Sequence, residues 1–450
     1  MRVAVVGAGP AGIYAAEALL DDADVHVDVY DALPTPFGLV RYGVAPDHLK
    51  IKSIERTLCK VLEQPRVRFV GNVCVGADIS IDELRAAYDA VVYAFGASTD
   101  RRLGIPGEDL PGSLSATDFV AWYSGHPDGA IRDMTLHARS VVVVGVGNVA
   151  VDVTRMLAKT DGDLESTDIP RDVLDTLRDS AVTDIHLLGR RSAAHAKFTT
   201  KELRELGELA NADVIVDPAE LAAGQELAEA NAAVRRNLDV LTEWSQRTPA
   251  GRPRRIHLRF MVRPTALLGT SHVEAVQLER TRFDDAGRLT SAGPLETLDA
   301  QLVLRSVGYR GVPIEGLPFD DDSGTIPNDA GRVLRDGRPA SGEYVAGWVK
   351  RGPTGVIGTN RSDAAETVRS MREDWAAYPS DPGDSAVDPV ERPDPVERLR
   401  AAGVPVVQWD GWLAIEAAEV ALGARHGHAR IKLPDRGELL AAVAAQQQHS

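Results

Sequence analysis

The chain has 450 residues, 44% hydrophobic and 26% charged, which is ordinary globular usage and enough chain for two or three domains of about 100–200 residues. With 50 Lys and Arg against 66 Asp and Glu, the formal charge is −16, which argues against non-specific nucleic-acid binding. Cys59 and Cys74 form no CxxC, so they build neither a four-thiolate iron–sulfur cluster nor a disulfide framework.

No apolar stretch approaches the roughly 20 residues of a membrane helix. After Arg2 only Val3 to Val6 precede the first glycine, short of the roughly 7–15 apolar residues of a secretory signal. A cytoplasmic protein without a membrane or metal partner is expected, with a monomer as the default.

Residues 2–6 (RVAVV) read as a buried parallel strand, Pro10 to Leu20 as a helix, and Val25 to Tyr30 as a second strand. Between them runs Gly7-Ala8-Gly9-Pro10-Ala11-Gly12, a complete GxGxxG. Its glycines serve a tight turn, the approach of backbone to a pyrophosphate, and close helix–strand packing. The helix N-terminus then offers free N–H groups to phosphate. Asp31 closes the second strand, where a carboxylate accepts hydrogen bonds from ribose hydroxyls. Strand, glycines, helix and acid in this order make a specific signal, where the hexapeptide alone is weak.

Further along, Asp47 is expected to cap a helix reaching about Glu63, and Ala90 to Ala94 reads as another buried strand. Ser140 opens a second unit of the same kind. Val141 to Val144 lead into Gly145-Val146-Gly147-Asn148-Val149-Ala150, a GxGxxA, and a helix to about Lys159. The next strand, Ile185 to Leu188, ends in Gly189-Arg190-Arg191 and carries no acid. Paired guanidiniums bind a 2′-phosphate that an acid would repel, so this half is expected to take NADP(H) and the Asp31 half FAD. The polar loop and helix of Asp161 to Ser180 account for the long gap before the arginines.

Ala222 to Gln246 reads as helical. Arg254 to Val262 and Val273 to Thr281 read as strands of an antiparallel set, Leu302 to Val307 and Tyr344 to Ala346 as further strands. Tyr378 to Glu397, rich in Pro, Asp and Ser with DPVER twice, reads as a surface linker before a helical tail, Leu399 to Val443.

Several segments are more specific than a general dinucleotide fold: PTPFGLVRYGVAPDH at Pro34 to His48, YAFGASTDRRLGIPGEDLPG at Tyr93 to Gly112, DFVAWYSGHPD at Asp118 to Asp128, VVGVGNVAVDVTRML at Val143 to Leu157, FTTKELREL at Phe198 to Leu206 and GWVKRGPTGVIGTN at Gly347 to Asn360. On these the chain resembles the adrenodoxin-reductase-like family of ferredoxin–NADP⁺ reductases, in its actinobacterial form, over nearly its whole length. The resemblance implies an α/β fold of the glutathione-reductase-like flavoprotein type, with two Rossmann-like dinucleotide-binding domains. The NADP domain (102–311) is inserted into an FAD domain made of 1–101 and 312–450.

The resemblance also implies site residues. Ala11, Gly12, Asp31, Leu39, Val75, Trp348, Gly355, Val356 and Ile357 are expected at FAD, beside Gly7 and Gly9. Val146, Gly147, Asn148, Val149, Arg190, Arg191, Glu202 and Gly355 are expected at NADPH. His48 and Asp152 are expected near flavin and nicotinamide as the catalytic pair, ordering polar groups or water. Asp31 stands where the family more often has Glu. Ser192-Ala193 replaces Gly-Pro, and His195 and Lys197 stand where the family is more apolar or amide-bearing.

The implied activity passes electrons from NADPH through FAD to a ferredoxin-type iron–sulfur protein. The alternative is an NADPH diaphorase or quinone reductase with no protein partner. An acidic ferredoxin needs a basic patch, for which Arg204, Arg235, Arg236, Arg252, Arg254, Arg255, Arg259 and Arg263 are the candidates.

Overall fold

The computed structural model describes residues 1–131, 134–222, 231–377 and 393–447. The chain divides into two compact units: Met1–Thr99 with Ser124–Asp128 and Tyr309–Ser450, and Asp100–Tyr123 with Gly129–Gly308.

The first unit opens with β1 (Arg2–Val6), α1 (Pro10–Leu19), β2 (His26–Tyr30), β3 (Val67–Val70) and β4 (Ala90–Tyr93). The chain then enters the second unit. That unit is built on β5 (Ser113–Ser115), β6 (Ser140–Val144), α2 (Asn148–Ala158), β7 (Asp184–Gly189), α3 (Thr200–Gly207), β8 (Ala212–Val216), α4 (Ala232–Ser245), β9 (Arg254–Phe260), β10 (Val262–Leu268), β11 (Ala275–Phe283), β12 (Leu289–Asp299) and β13 (Leu302–Arg305). On its return the chain adds β14 (Asn328–Asp329), β15 (Arg332–Arg335), β16 (Arg338–Val345) and α5 (Thr359–Ala377).

The first unit holds a seven-stranded sheet in the order β14-β15-β16-β4-β1-β2-β3. Its β1, β2, β3, β4 and β16 pair in parallel. These strands are near-continuous apolar runs because both faces are covered. One face packs on α1, α5 and the tail helices, with Val5, Val29, Ala364, Trp412 and Ile415 fully or almost fully buried.

The second unit holds a six-stranded parallel sheet in the order β5-β13-β6-β7-β9-β8. The antiparallel sheet β10-β11-β12 accompanies it. Val141, Val143 and Leu187 face the helical side of the parallel sheet, whereas Val142, Val144 and Leu188 pack with Val262, Val276 and Leu278 of the antiparallel sheet.

Three expectations need correction. Arg254 to Val262 is not one antiparallel strand. Met261 takes φ +57 and splits it, so β9 joins the parallel sheet and β10 turns away to start the antiparallel one. The helix expected from Asp47 is two short pieces, Leu49–Lys52 and Glu55–Leu62, and His48, not Asp47, occupies the capping position. Residues 124–128 cluster with the first unit, where Lys432 Nζ donates to Ser124 O at 2.9 Å and Arg436 grips Asp128.

Residues 223–230 of the expected helix 222–246, and 378–392 of the expected linker, lie outside the described residues. The second DPVER opens a helix, Pro395–Ala401, capped by Asp394. Both thiols are free, Cys59 half-buried and Cys74 exposed. Among the described residues no helix is long and apolar enough to cross a membrane.

Candidate functional site

In the first unit, the chain leaves β1 at Gly7 with φ +113, and a Cβ there would lie 2.5 Å from Ala94 O. A Cβ on Gly12 would lie 1.9 Å from Gly7 O, whereas one on Gly9 would meet nothing within 4 Å. Gly7 and Gly12 are thus fixed by packing. Gly9, the residue capping α1, faces open space where a phosphate can approach.

The loop is braced through Ala8. Its N–H donates to Asp31 Oδ2 at 2.7 Å, and its carbonyl accepts from Phe37 N–H at 2.8 Å. Leu33 N–H donates to the other Asp31 oxygen at 2.9 Å. Desolvation pushes the Asp31 carboxyl up to about 6, against the two N–H donors and the Arg436 charge, which lower it. The PTPFG segment supplies the second brace. Phe37 and Gly38 both have positive φ, and a Cβ on Gly38 would lie 3.1 Å from Gly9 Cα. Leu39 follows, partly exposed. Val73 N–H donates to Asp31 O, two residues before the buried Val75.

The GWVKRGPTGVIGTN segment meets the same end of the unit. A Cβ on Gly347 would lie 2.5 Å from Ala11 Cβ, so the Trp348 turn abuts the start of α1. The Trp348 ring lies 5.2 Å from that of Tyr309. Gly355, Val356 and Ile357 lead into α5, and Val356 is 65% exposed. Arg361 of α5 pairs with Glu17 at 3.0 Å, and Arg372 with Asp22 at 2.8 Å. The two helices therefore run parallel, with both N-termini at the loop end. His48 is buried, and its carbonyl accepts from Ile51 and Lys52.

The second unit repeats the plan with different braces. Gly145 has φ +134, and its Cβ would lie 2.1 Å from Ser306 O, whereas a Cβ on Gly147 would meet nothing within 4 Å. Val146 O accepts from Lys197 N–H at 2.8 Å, and Asn148 Oδ1 from Thr199 N–H at 2.9 Å. Val149 follows Asn148 in the first turn of α2.

Arg190 and Arg191 are anchored through their carbonyls, which accept from Thr281 Oγ1 at 2.7 Å and Met261 N–H at 3.2 Å. Both residues are exposed. Among the described residues no hydrogen bond or ion pair engages either guanidinium. Ser192 Oγ and His195 Nδ1 lie 2.8 Å apart just beyond, and burial together with the Arg191 charge lowers the His195 pKa. Glu202 sits in the first turn of α3, its N–H donating to Thr199 Oγ1 at 3.4 Å. Asp152, one turn past Asn148, pairs with the buried Arg155 at 2.6 Å, and Arg155 approaches Glu205 at 3.6 Å.

The expected basic patch is mostly spent inside the unit. Arg252 and Arg254 donate to backbone carbonyls. Arg255 pairs with Asp184, Arg259 with Glu220 and Glu296, and Arg263 with Glu279. Arg204 on α3 and Arg235 and Arg236 on the adjacent α4 stay exposed.

Residues not foreseen are Phe37, which braces the first loop, Arg155, which holds Asp152, and Arg436, which reaches toward Asp31 from the tail. Phe37 had a signal in its place in the PTPFG segment, and Arg155 in the VVGVGNVAVDVTRML segment three residues after Asp152. Arg436 depends on long-range packing.

Residues 1–208 match the family described as pyridine nucleotide-disulphide oxidoreductase. The NADPH-ferredoxin reductase FprA of Mycobacterium leprae is 46% identical over 98% of this chain and 97% of its own length. The mitochondrial NADPH:adrenodoxin oxidoreductase of Arabidopsis thaliana is 38% identical over 99% and 95%. The structure of Mycobacterium tuberculosis FprA in complex with NADPH superposes with a TM-score of 0.92 at 44% identity, covering 98% of this chain and 99% of that one. With both loops, the PTPFG brace and the Trp348 turn in place, the chain belongs to the adrenodoxin-reductase-like family of ferredoxin–NADP⁺ reductases.

Proposed function

We infer that this protein is an FAD-dependent oxidoreductase that passes electrons from NADPH through FAD to a ferredoxin-type iron–sulfur protein. The observation that carries the reading is the pair of glycine loops followed by residues of opposite charge, Asp31 in one unit and Arg190–Arg191 in the other. It is joined by full-length similarity to named NADPH-ferredoxin reductases.

The residues fit both dinucleotides. Gly9 and Gly147 leave backbone open to a pyrophosphate, and Asp31 offers a carboxylate to a 2′-hydroxyl. The exposed guanidiniums on pinned carbonyls offer charge-assisted bonds to a 2′-phosphate. Bound FAD supplies the exchange of a two-electron hydride for single electrons. The protein's part is to bind and orient. In this reading Ala11, Gly12, Leu39, Val75, Trp348, Gly355, Val356 and Ile357 line the flavin site. Val146, Asn148, Val149 and Glu202 line the NADPH site. His48 and the Arg155-held Asp152 position polar groups near the reacting rings.

With two cysteines that form no CxxC, the single-electron acceptor is another molecule. Arg204, Arg235 and Arg236 are the remaining candidates for docking it. The chain acts as a monomer, which sedimentation of the flavin-loaded protein checks.

The decisive experiment adds NADPH, then NADH, anaerobically while following flavin absorbance, and afterwards adds a ferredoxin. Fast bleaching by NADPH, slow bleaching by NADH and rapid ferredoxin reduction are expected. Fast bleaching without transfer to any ferredoxin would move the assignment to a diaphorase.

A further inference from the structure

Sequence spacing shows no metal motif, because the residues concerned sit on separate strands. In the second unit β7 and β9 are neighbours, with His186 opposite His257 and Asp184 opposite Arg255. The alternation of a strand puts all four on one face of the sheet. The two imidazoles stack with centroids 4.4 Å apart and planes 9° from parallel. His257 Nε2 lies 2.9 Å from Asp184 Oδ1. The carboxylate accepts this hydrogen bond from Nε2–H, so Asp184 and His257 already face each other.

His186 is 8% exposed, and its Nδ1 is buried with no hydrogen-bond partner among the described residues. A buried ring nitrogen left this way costs about 1–3 kcal/mol.

We propose that His186, His257 and Asp184 form a binding site for a borderline divalent cation of the zinc type, which ties β7 to β9. Each of the three offers a ligand atom within 4.8 Å of the other two. Zinc–nitrogen bonds of about 2.0–2.1 Å in a tetrahedron place ligand atoms roughly 3.4 Å apart, so a pair at the 4.8 Å limit must close by about 1.4 Å. Parallel rings share no common ligand point, so one must rotate out of the stack. His257, 22% exposed at its side chain, can do so.

In the structure Arg255 occupies Asp184 with bonds of 2.7 and 2.5 Å. Its side chain is 54% exposed, so it can swing into solvent when a cation takes its place on Asp184. The other nearby cation, Arg259, is already neutralised by Glu220 and Glu296. Two imidazoles and a carboxylate suit zinc, nickel or copper rather than calcium or magnesium. The site is separate from both glycine loops. His186 lies four residues upstream of Arg190, about 13 Å along a strand.

The test is calorimetric titration of zinc sulfate into flavin-loaded, EDTA-treated protein, with melting curves alongside. We expect one zinc per chain at micromolar affinity and a raised melting temperature. His257→Gln should weaken zinc at least tenfold while NADPH-dependent dye reduction stays unchanged. Arg255→Ala should tighten zinc several-fold, because it removes the competitor for Asp184. Absence of a one-to-one site tighter than about 100 µM in the wild type would overturn the proposal. Zinc binding that neither variant changes would also overturn it, since another set of ligands would then be responsible. If His257→Gln does not fold, the direction of the Arg255→Ala change decides alone.

Discussion

The two glycine loops share a strand–turn–helix plan and differ in how they are braced. In the first unit Ala8 is held on both sides, its N–H by Asp31 and its carbonyl by Phe37. In the proposed reading Asp31 is therefore both loop brace and ribose partner. In the second unit the loop is held by Lys197 N–H and the Asn148 side chain, and the arginines touch it through neither guanidinium. One loop merges structure with recognition. The other keeps them apart, so its recognition groups can be removed with the fold left standing.

The largest effects should separate packing glycines from ligand glycines. Gly12→Ala puts a Cβ 1.9 Å from Gly7 O, and Gly145→Ala one 2.1 Å from Ser306 O. At Gly145 the positive φ adds backbone strain. Each should cost more than about 3 kcal/mol and yield little folded protein. Gly9→Ala and Gly147→Ala meet nothing within 4 Å. They should leave far-UV circular dichroism unchanged yet lose bound flavin and NADPH affinity respectively. A Gly9→Ala protein that purified with full flavin would break the reading of the first loop.

Next comes the arginine pair. Each charge-assisted contact is worth about 1.5–3 kcal/mol. Arg190→Ala/Arg191→Ala should thus lower kcat/KM for NADPH by about 10²–10⁴, leave that for NADH unchanged, and shift stability by less than about 0.5 kcal/mol. Steady-state kinetics with both nucleotides checks this. An equal loss for both would mean that the pair does not read the 2′-phosphate.

This division of labour was only partly legible in the sequence. Both openings could be read because four or five apolar residues, a glycine pattern and a helix stand in one short window. Local order also singled out Asp31 and the arginines as candidates. What could not be read depends on partners far along the chain. Met261 splits an apparently continuous strand by its positive φ. Most candidate docking arginines are consumed by Asp184, Glu220, Glu296, Glu279 and backbone carbonyls. The stacking of His186 on His257 needs the register of two strands about 70 residues apart. Residues 124–128 join the first unit through the distant Lys432 and Arg436.

The dual role of Asp31 predicts a pH dependence that the second loop lacks. Its carboxyl is raised from 3.8 to about 6 by desolvation. Between those values the folded flavin-free protein binds more protons than the unfolded chain. The stability from this group is therefore full below about pH 4 and is lost as pH rises through about 6, a difference of roughly 3 kcal/mol. Flavin affinity should move the opposite way, because ribose hydroxyls favour the charged carboxylate. Flavin release should accelerate several-fold between pH 7 and 5, and Asp31→Asn should flatten that profile. Stopped-flow fluorescence of released flavin checks it.

A smaller effect should come from docking. Charges at an interface rim act mainly on the association rate. Arg204→Gln/Arg235→Gln/Arg236→Gln should slow ferredoxin reduction several-fold at low salt, converge with the wild type at high salt, and leave dye reduction intact. Loss of both activities together would remove these residues from the docking surface.

The smallest effect tests the weaker brace. Asn148→Ala removes one side-chain bond to Thr199 N–H, worth about 0.5–1.5 kcal/mol. A single missing brace on a loop that keeps its Lys197 bond should raise KM for NADPH and for NADH alike, by roughly three- to tenfold. The equal change distinguishes a positioning residue from the arginines, whose loss falls on one nucleotide alone. A change confined to NADPH would place Asn148 on the phosphate instead, and recognition and bracing would then be merged in the second loop as they are in the first.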